Sequence, residues 1–553
     1  MPSSNKKPNF LIIVADDLGF TDLGCFGGEI STPNLDKLAS SGIRFTGFHT
    51  ASACSPTRSM LFSGTDNHLA GLGQMAEFIK FERLGDEFEG KPGYEGYLNY
   101  KVAALPEITS PEYYNVISGK WHLGLDEPYW PDKRGFEKSF TLLPGAGNHY
   151  KYKFDEKTFM PSIFQENGRR IDAESELPDD FYSTEYYTTK FLEYLKDEDR
   201  NGRPFLGALT YTAPHWPLQA PLTTALKYKG VYDKGPIELR NRRLARAAEL
   251  GIIDKDVVPH LVETKSIPWD ELSAEEKKYS SRVMEFYAAM VDELDKNIGR
   301  VLKHLEDTGE LENTMIFFMS DNGAEGSMLE ALPSKTVSFA DNVQRLYDNS
   351  YDNIGKKDSF VMYGDLWAQA ATAPRYMYKA WSTEGGINCP LILSYPKISP
   401  KWSPGSITHE FCTVMDILPT VLEFSKISHP GASFKGRTVH KPKGISWAPY
   451  LDDKVPEIYD EKRVTGWELF GQRAIRQGRY KALWIPKPIG SGEWELYDIL
   501  KDPGEINDLK YEQPQVLEGL IEHWTLYVAE AGVIELEQYP EGTRWNVKVI
   551  KDS

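Results

Sequence analysis

Cysteine is scarce in this chain. There are four in 553 residues, Cys25, Cys54, Cys389 and Cys412. No pair has the spacing of a zinc site, and so few thiols exclude a fold stapled by disulfides. Long apolar runs are also missing. Those present, such as Phe10 to Ala15, fall far short of the roughly 20 residues that cross a bilayer. Met1 to Lys7 is polar and lacks the apolar segment and cleavage site of a secretory signal. These absences predict a soluble cytoplasmic protein with reduced thiols and no membrane partner. Positive charge is in deficit: 63 Lys and Arg face 81 Asp and Glu, a formal net charge of −18 and a pI of about 5.2. Such a surface repels polyanions at long range, which argues against a nucleic-acid partner. A small anion in a cleft lined by local Lys, Arg and His remains compatible. There are no internal repeats and no low-complexity tract.

What is present fits a globular enzyme-sized chain. Hydrophobic residues make up 41% and aromatics 12%, too many for a disordered chain. Four short apolar runs have the length of buried strands: Phe10–Val14, Tyr114–Ile117, Phe205–Leu209 and Met315–Met319. Each is followed by polar residues able to do chemistry. The first ends in Asp16-Asp17, the second leads to Lys120 and His122, the third to His215, and the fourth to Asp321-Asn322. Ligands of open α/β sheets bind beyond the carboxyl ends of the strands, so four such ends predict one shared site.

Val283, Phe286, Met290, Leu294, Ile298, Val301 and Leu305 recur at helical spacing, with Gly309 where the helix should stop. Thr413 to Phe424 reads as another amphipathic helix. Alternating strands and helices predict an α/β fold. Past Gly431 the pattern changes. Tyr480–Trp484 and Trp494–Tyr497 read as strands joined by Gly/Pro-rich turns, and Val516 to Glu530 as a final helix. The expected division is a catalytic domain over 1–430 and a small domain of antiparallel sheet plus helix over 431–553. The polar stretch Ser327 to Asp358 lacks periodicity and reads as a loop near the site.

Cys54-Ser55-Pro56-Thr57-Arg58 reads as a helix start. A thiol at the positive end of a helix has a lowered pKa, so Cys54 is either a reactive thiol or a plain packing residue. Asp16, Asp17, Asp321 and Asn322 offer only oxygen donors, which suit Ca²⁺ or Mg²⁺ rather than zinc. Each also has an ordinary reading, as a cap or a turn. Lys120 and His122 flank Trp121, and on a strand alternate residues share a face, which would aim both at the site. Phe78, Tyr94, Tyr97 and Tyr150 would line a pocket or fill the core.

Cys54-Ser55-Pro56-Thr57-Arg58 resembles the Cys-x-Pro-x-Arg signature of the type I sulfatases. Gly119-Lys120-Trp121-His122-Leu123-Gly124 looks like that family's second signature. Pro8-Asn9-Phe10 through Asp17, Ala213-Pro214-His215 and Ser320-Asp321-Asn322-Gly323 resemble its other site segments. The resemblance extends to Gly466–Phe470 and to Leu496-Tyr497-Asp498 with Asp502–Glu505. It is nearest to bacterial cytosolic arylsulfatases of the pseudomonad type. It implies an alkaline phosphatase-like fold, a large mixed sheet sandwiched by helices. It implies that a maturation enzyme converts Cys54 to formylglycine, and that Asp16, Asp17, Asp321 and Asn322, with position 54, hold Ca²⁺, with Mg²⁺ as the alternative. The substrate would be a small-molecule sulfate ester. Lys120, His215 and Lys379 would bind the sulfate oxygens. Arg58 would orient the nucleophile, Asp321 would act as its base, His215 or Lys379 would protonate the leaving alcohol, and His122 would take the second proton. Lys379 has no signal of its own and rests on this resemblance, from its place before Glu384-Gly385-Gly386-Ile387. Two positions depart from the family pattern: Thr383 and Asn388 stand where many members have His and Arg. The competing expectations are a phosphate or phosphonate monoester hydrolase of the same superfamily, and a silent cation-binding protein with Cys54 unmodified.

Overall fold

The structure is a computed structural model and describes residues 6–81, 85–152, 161–332 and 338–537. Ten strands form its main sheet: β1 (Asn9–Ala15), β2 (Ile43–Phe45), β3 (Tyr114–Lys120), β4 (Lys138–Leu142), β5 (Phe164–Glu166), β6 (Arg169–Ile171), β7 (Phe205–Thr210), β8 (Thr314–Ser320), β9 (Leu391–Ser394) and β10 (Ser406–Thr408). Their order is β10-β2-β9-β8-β1-β7-β3-β4-β5-β6. The four apolar runs are the adjacent parallel strands β8, β1, β7 and β3. β9 pairs antiparallel with β8 and with β2, and β5 antiparallel with β4, so the sheet is mixed.

The period-two geometry of a strand explains why these runs do not alternate in polarity. Leu11, Ile13 and Ala15 of β1 enter one core, with Ile316 and Phe318 of β8. Phe10, Ile12 and Val14 enter the other, with Phe317 and Met319. Both faces are covered, so every position is apolar. Helix α1 (Cys54–Ser63) puts Met60, Leu61 and Phe62 on the second face. Helices α2 (Ser183–Leu195) and α3 (Ala274–Asp307) cover the first, through Tyr187 and Phe191 and through the stripe from Val283 to Leu305.

Two expected elements differ. The stretch 327–358 is not wholly a loop. It carries helix α4 (Phe339–Leu346). Phe339 and Val343 pack with Leu332, Phe360 and Trp216, a satellite cluster too small to show as periodicity. The helix expected from Thr413 starts later. Thr413 pairs with His49 in a two-stranded ladder. Its N–H donates to Asp416 Oδ2 at 2.7 Å, and helix α5 (Ile417–Ser425) follows.

Val439, Trp447, Tyr450 and Ile458 still belong to the second core. Beyond them lies a four-stranded antiparallel sheet, β11 (Val464–Leu469), β12 (Gln472–Gln477), β13 (Tyr480–Trp484) and β14 (Trp494–Asp498). One face holds Ile475, Ala482 and Leu496 against Leu520, Trp524 and Tyr527 of helix α6 (Pro514–Ala531). The other face holds Trp467, Leu469 and Leu483 against Ala53, Met377, Ala380 and Ile387. The small sheet thus braces the backbone beside Cys54 and Lys379. Among the described residues no helix is long and apolar enough to cross a membrane.

Candidate active site

The sheet brings four strand ends together. Asp16 and Asp17 leave β1, Asp321 and Asn322 leave β8, Lys120 ends β3, and the turn after β7 carries His215. α1 adds Cys54, its first residue, and Arg58. The segment before Glu384 adds Lys379. All nine are buried.

Their polar atoms form one network. Lys120 Nζ donates to Asp16 Oδ2 at 2.7 Å. Lys379 Nζ donates to Asp17 Oδ2 at 2.8 Å and lies 3.0 Å from Glu325 Oε2. Arg58 donates to Asp321 Oδ2 from Nε at 2.9 Å and from Nη2 at 2.8 Å, and from Nη1 to the Lys120 carbonyl at 2.9 Å. Asn322 Nδ2 donates to Asp17 Oδ1 at 2.7 Å, and Cys54 Sγ is 3.7 Å from the same oxygen. His215 Nε2 lies 3.4 Å from Asp17 Oδ2, while its Nδ1 donates to the Trp216 carbonyl at 2.7 Å.

Among the described residues, the carboxylates Asp16, Asp17 and Asp321 face the cations Lys120, Lys379 and Arg58. Burial makes every one of these charges costly. It raises Asp16 to about 7 despite Lys120, and raises Asp17 despite Lys379. Burial would raise Asp321 too, but Arg58, Lys120 and Lys379 outweigh it and hold it low. Among the described residues, Asp16 Oδ1 and Asn322 Oδ1 have no hydrogen-bond partner. Ligand atoms of Asp16, Asp17, Cys54 and His215 all lie within 4.8 Å of one another. Spare carboxylate and amide oxygens fit a hard divalent cation.

Cys54 departs from the reactive-thiol expectation. It does sit at a helix start. Burial nevertheless drives its thiol well above the usual range, against the pull of Lys120 and Lys379. The desolvation of a thiolate outweighs the helix end. His122 also arrives by another route than strand alternation. β3 stops at Lys120, and His122 follows in a left-handed conformation with φ 58°. Its Nε2 meets Glu77 Oε1 at 2.9 Å, and its Nδ1 is buried with no partner among the described residues. Ser55, Glu77, Tyr97, His122 and Tyr129 line a cavity of about 30 Å³. Of the four aromatics singled out, only Tyr97 is there, stacked on Tyr129. Phe78 packs on Phe470, Tyr94 on Phe88 and Tyr150 on Tyr182. Thr383 Oγ1 donates to the Tyr376 carbonyl at 2.7 Å, and Asn388 Nδ2 to the Thr46 carbonyl at 3.1 Å. Glu77 and Glu325 escaped sequence reasoning. Neither sits at a strand end or in a signature, and only tertiary closeness to His122 and Lys379 reveals them.

Residues 8–427 match the sulfatase family. The chain belongs to that family. Residues 374–524 match the C-terminal part of N-sulphoglucosamine sulphohydrolase. An uncharacterized sulfatase of Schizosaccharomyces pombe is 51% identical over 541 residues, covering 96% of this chain and 95% of that protein. An arylsulfatase of Klebsiella aerogenes is 37% identical over 452 residues, covering 80% and 92%. Among solved structures, Ps i-CgsB in complex with k-i-k-neocarrahexaose superposes with a TM-score of 0.66 at 20% identity, over 99% of this chain and 98% of that one. The phosphonate monoester hydrolase of Agrobacterium radiobacter superposes with a TM-score of 0.54 at 17% identity, over 95% and 96%. The sulfatase has the alkaline phosphatase-like fold expected of it. It is a sulfuric ester hydrolase, and sulfate ester hydrolysis is its reaction class.

Proposed function

We propose that this sulfatase hydrolyses small aryl or alkyl sulfate monoesters in the cytoplasm, through formylglycine made from Cys54 by a separate maturation enzyme, with Ca²⁺ beside it. The gathering of carboxylate, thiol and imidazole atoms at position 54, ringed by Lys120, Lys379 and Arg58, carries this reading. Those side chains can oppose the charge of a sulfate ester while a cation holds the carboxylates. Four free, buried cysteines suit a reducing compartment.

Asp16, Asp17, Asp321 and Asn322 are the residues that would hold the cation, which supplies Lewis-acid stabilisation of sulfate charge. Formylglycine supplies, as its hydrate, two hydroxyls on one carbon. Lys120 and Lys379 bind and neutralise sulfate oxygens, and His215 would join them once protonated at Nε2. Arg58 orients position 54 and keeps Asp321 ionised as the base for the attacking hydroxyl. Burial, with Lys379 and Lys120 nearby, holds His215 well below the usual imidazole range. Lys379, raised by Asp17 against its own burial, is therefore the better proton source for the leaving alcohol. His122 takes the last proton at Nδ1.

The test is the ratio of kcat/KM for an aryl sulfate over the matching aryl phosphate, on protein from the native host whose position 54 has been read by mass spectrometry. An aldehyde at that position and a ratio far above unity are expected. A free thiol in active protein would overturn the formylglycine reading. Chelation should lower kcat/KM by about 10²-fold or more. Added Ca²⁺ should restore activity better than Mg²⁺ and also raise the Tm of the chelated protein.

Glu77 is a positioning residue in this scheme. Burial would raise its carboxyl, but His122 holds it at about 2. Ionised Glu77 fixes the proton of His122 on Nε2 and leaves Nδ1 free to accept. Glu77→Gln should cost roughly 10- to 100-fold in kcat. It should also move the acid limb of the pH profile to lower pH, because His122 loses the charge that raises its pKa. An unmoved acid limb would reduce Glu77 to a packing role.

A further inference from the structure

The segment 374–388 carries Lys379 into the active site. Its two ends, Arg375 and Asn388, line a separate cavity of about 560 Å³, walled also by His49, Phe411 and Arg476. None of the active-site residues lines it.

The arginines are what set this cavity apart. Arg58, Arg134 and Arg243, the fully buried ones, each meet a carboxylate: Asp321, Glu107, and Asp22 with Glu29. Arg375 and Arg476 are only 7% and 6% exposed, and among the described residues neither makes an ion pair. Arg375 Nη2 makes a long bond of 3.4 Å to the Thr46 carbonyl, and its Nη1 is buried with no partner. Its guanidinium carbon lies 3.5 Å from the centre of the Phe20 ring. Arg476 donates from Nε to the Gly478 carbonyl at 2.9 Å and stacks at 4.0 Å on Phe411.

The carboxylate on the wall is already engaged. Glu384 accepts from Lys481 at 2.9 Å and faces His49 Nε2 at 2.8 Å. Asp254 and Asp256 also line the cavity, but they are exposed and pair with neither arginine. Burial, only partly offset by Glu384, pulls both guanidiniums down to about 10. Two desolvated cations with no carboxylate in contact are unfavourable unless something negative joins them. Asn388 Oδ1, also without a partner, offers an acceptor for a hydroxyl or a bound water.

We infer that this cavity is a second anion site, which takes a small oxyanion between Arg375 and Arg476. Planar guanidiniums suit tetrahedral or carboxylate oxygens, and the space exceeds what one ion needs. Because Arg375 and Lys379 share one segment, occupancy would order the backbone that presents Lys379.

Calorimetric titration of the full chain with inorganic sulfate tests it. Wild type is expected to show two binding events, and Arg476→Met one, with unchanged basal kcat/KM. Methionine keeps the packing against Phe411, and an unchanged circular dichroism spectrum checks the fold. Arg476→Lys should keep both events, the second weakened by about tenfold because lysine lacks the planar fork. Selenate soaked into crystals should give an anomalous peak between the two arginines. A single event in wild type, two unaltered events in Arg476→Met, or no peak at a selenate concentration that fills the active site would each overturn the inference. Loss of sulfatase activity in wild type would instead count against the proposed function and leave this site standing.

Discussion

Cys54→Ser is expected to release a burst of phenol stoichiometric with enzyme and then stop, with steady-state turnover down by about 10⁴-fold or more. Position 54 lies where Lys120 and Lys379 oppose sulfate charge and where Arg58 and Asp321 stand within one hydrogen-bonded network. A serine hydroxyl there can still attack sulfur and expel the alcohol. The sulfated serine that results has no second hydroxyl on its Cβ, so His122 has no proton to remove that would drive sulfate out. Rapid-quench kinetics and mass spectrometry read the two halves separately: a burst, and a serine carrying sulfate. Full multiple turnover by this variant would falsify the role given to position 54. The unconverted thiol should be equally poor, because burial holds Cys54 protonated at neutral pH.

Much of this site is legible in the sequence for a simple reason. Strands of a covered sheet are unbroken apolar runs, so the residues at which they end stand out. That located Asp16, Asp17, Lys120, Asp321 and Asn322. Cys54 and Arg58 were marked by a proline near a helix start. Lys379 was not, because it lies in an irregular segment between two tertiary anchors. Its N–H donates to the Ala324 carbonyl, and the neighbouring Ala380 N–H donates to the Ser52 carbonyl. Charge pairing was invisible as well. No local pattern says that Arg58 reaches Asp321 across 263 residues, or that His122 turns towards Glu77. The thiol pKa is hidden for the same reason. Helix position can be read locally, but burial, which outweighs it, cannot.

The same kind of long-range pairing governs stability at His68. This residue is fully buried between two carboxylates, Asp66 Oδ1 at 2.9 Å from Nδ1 and Glu468 Oε2 at 3.0 Å from Nε2. Tyr527 of α6 donates to the other oxygen of Asp66 at 2.8 Å. The cluster thus ties the chain just after α1 to β11 and α6. With acceptors on both ring nitrogens, the imidazole must carry both protons. Burial alone would lower its pKa, yet Asp66 and Glu468 overcome burial and raise it to about 9. An unfolded histidine titrates near about 6.5. The stabilisation is therefore fully present below that pH and is lost as pH rises through the folded value, in all about 3 kcal/mol. Urea unfolding from pH 6 to 10 should show this alkaline loss. Glu468→Gln, which keeps an acceptor for Nε2 but removes one charge, should move the midpoint of the loss towards neutral pH. It should also lower the stability at pH 6, since one of the two charges that hold the imidazolium is gone. If the midpoint stays where it is in wild type, the clamp is not what titrates. Sulfatase activity at neutral pH should change little in Glu468→Gln at temperatures where the protein stays folded, because neither His68 nor Glu468 touches the network around Cys54.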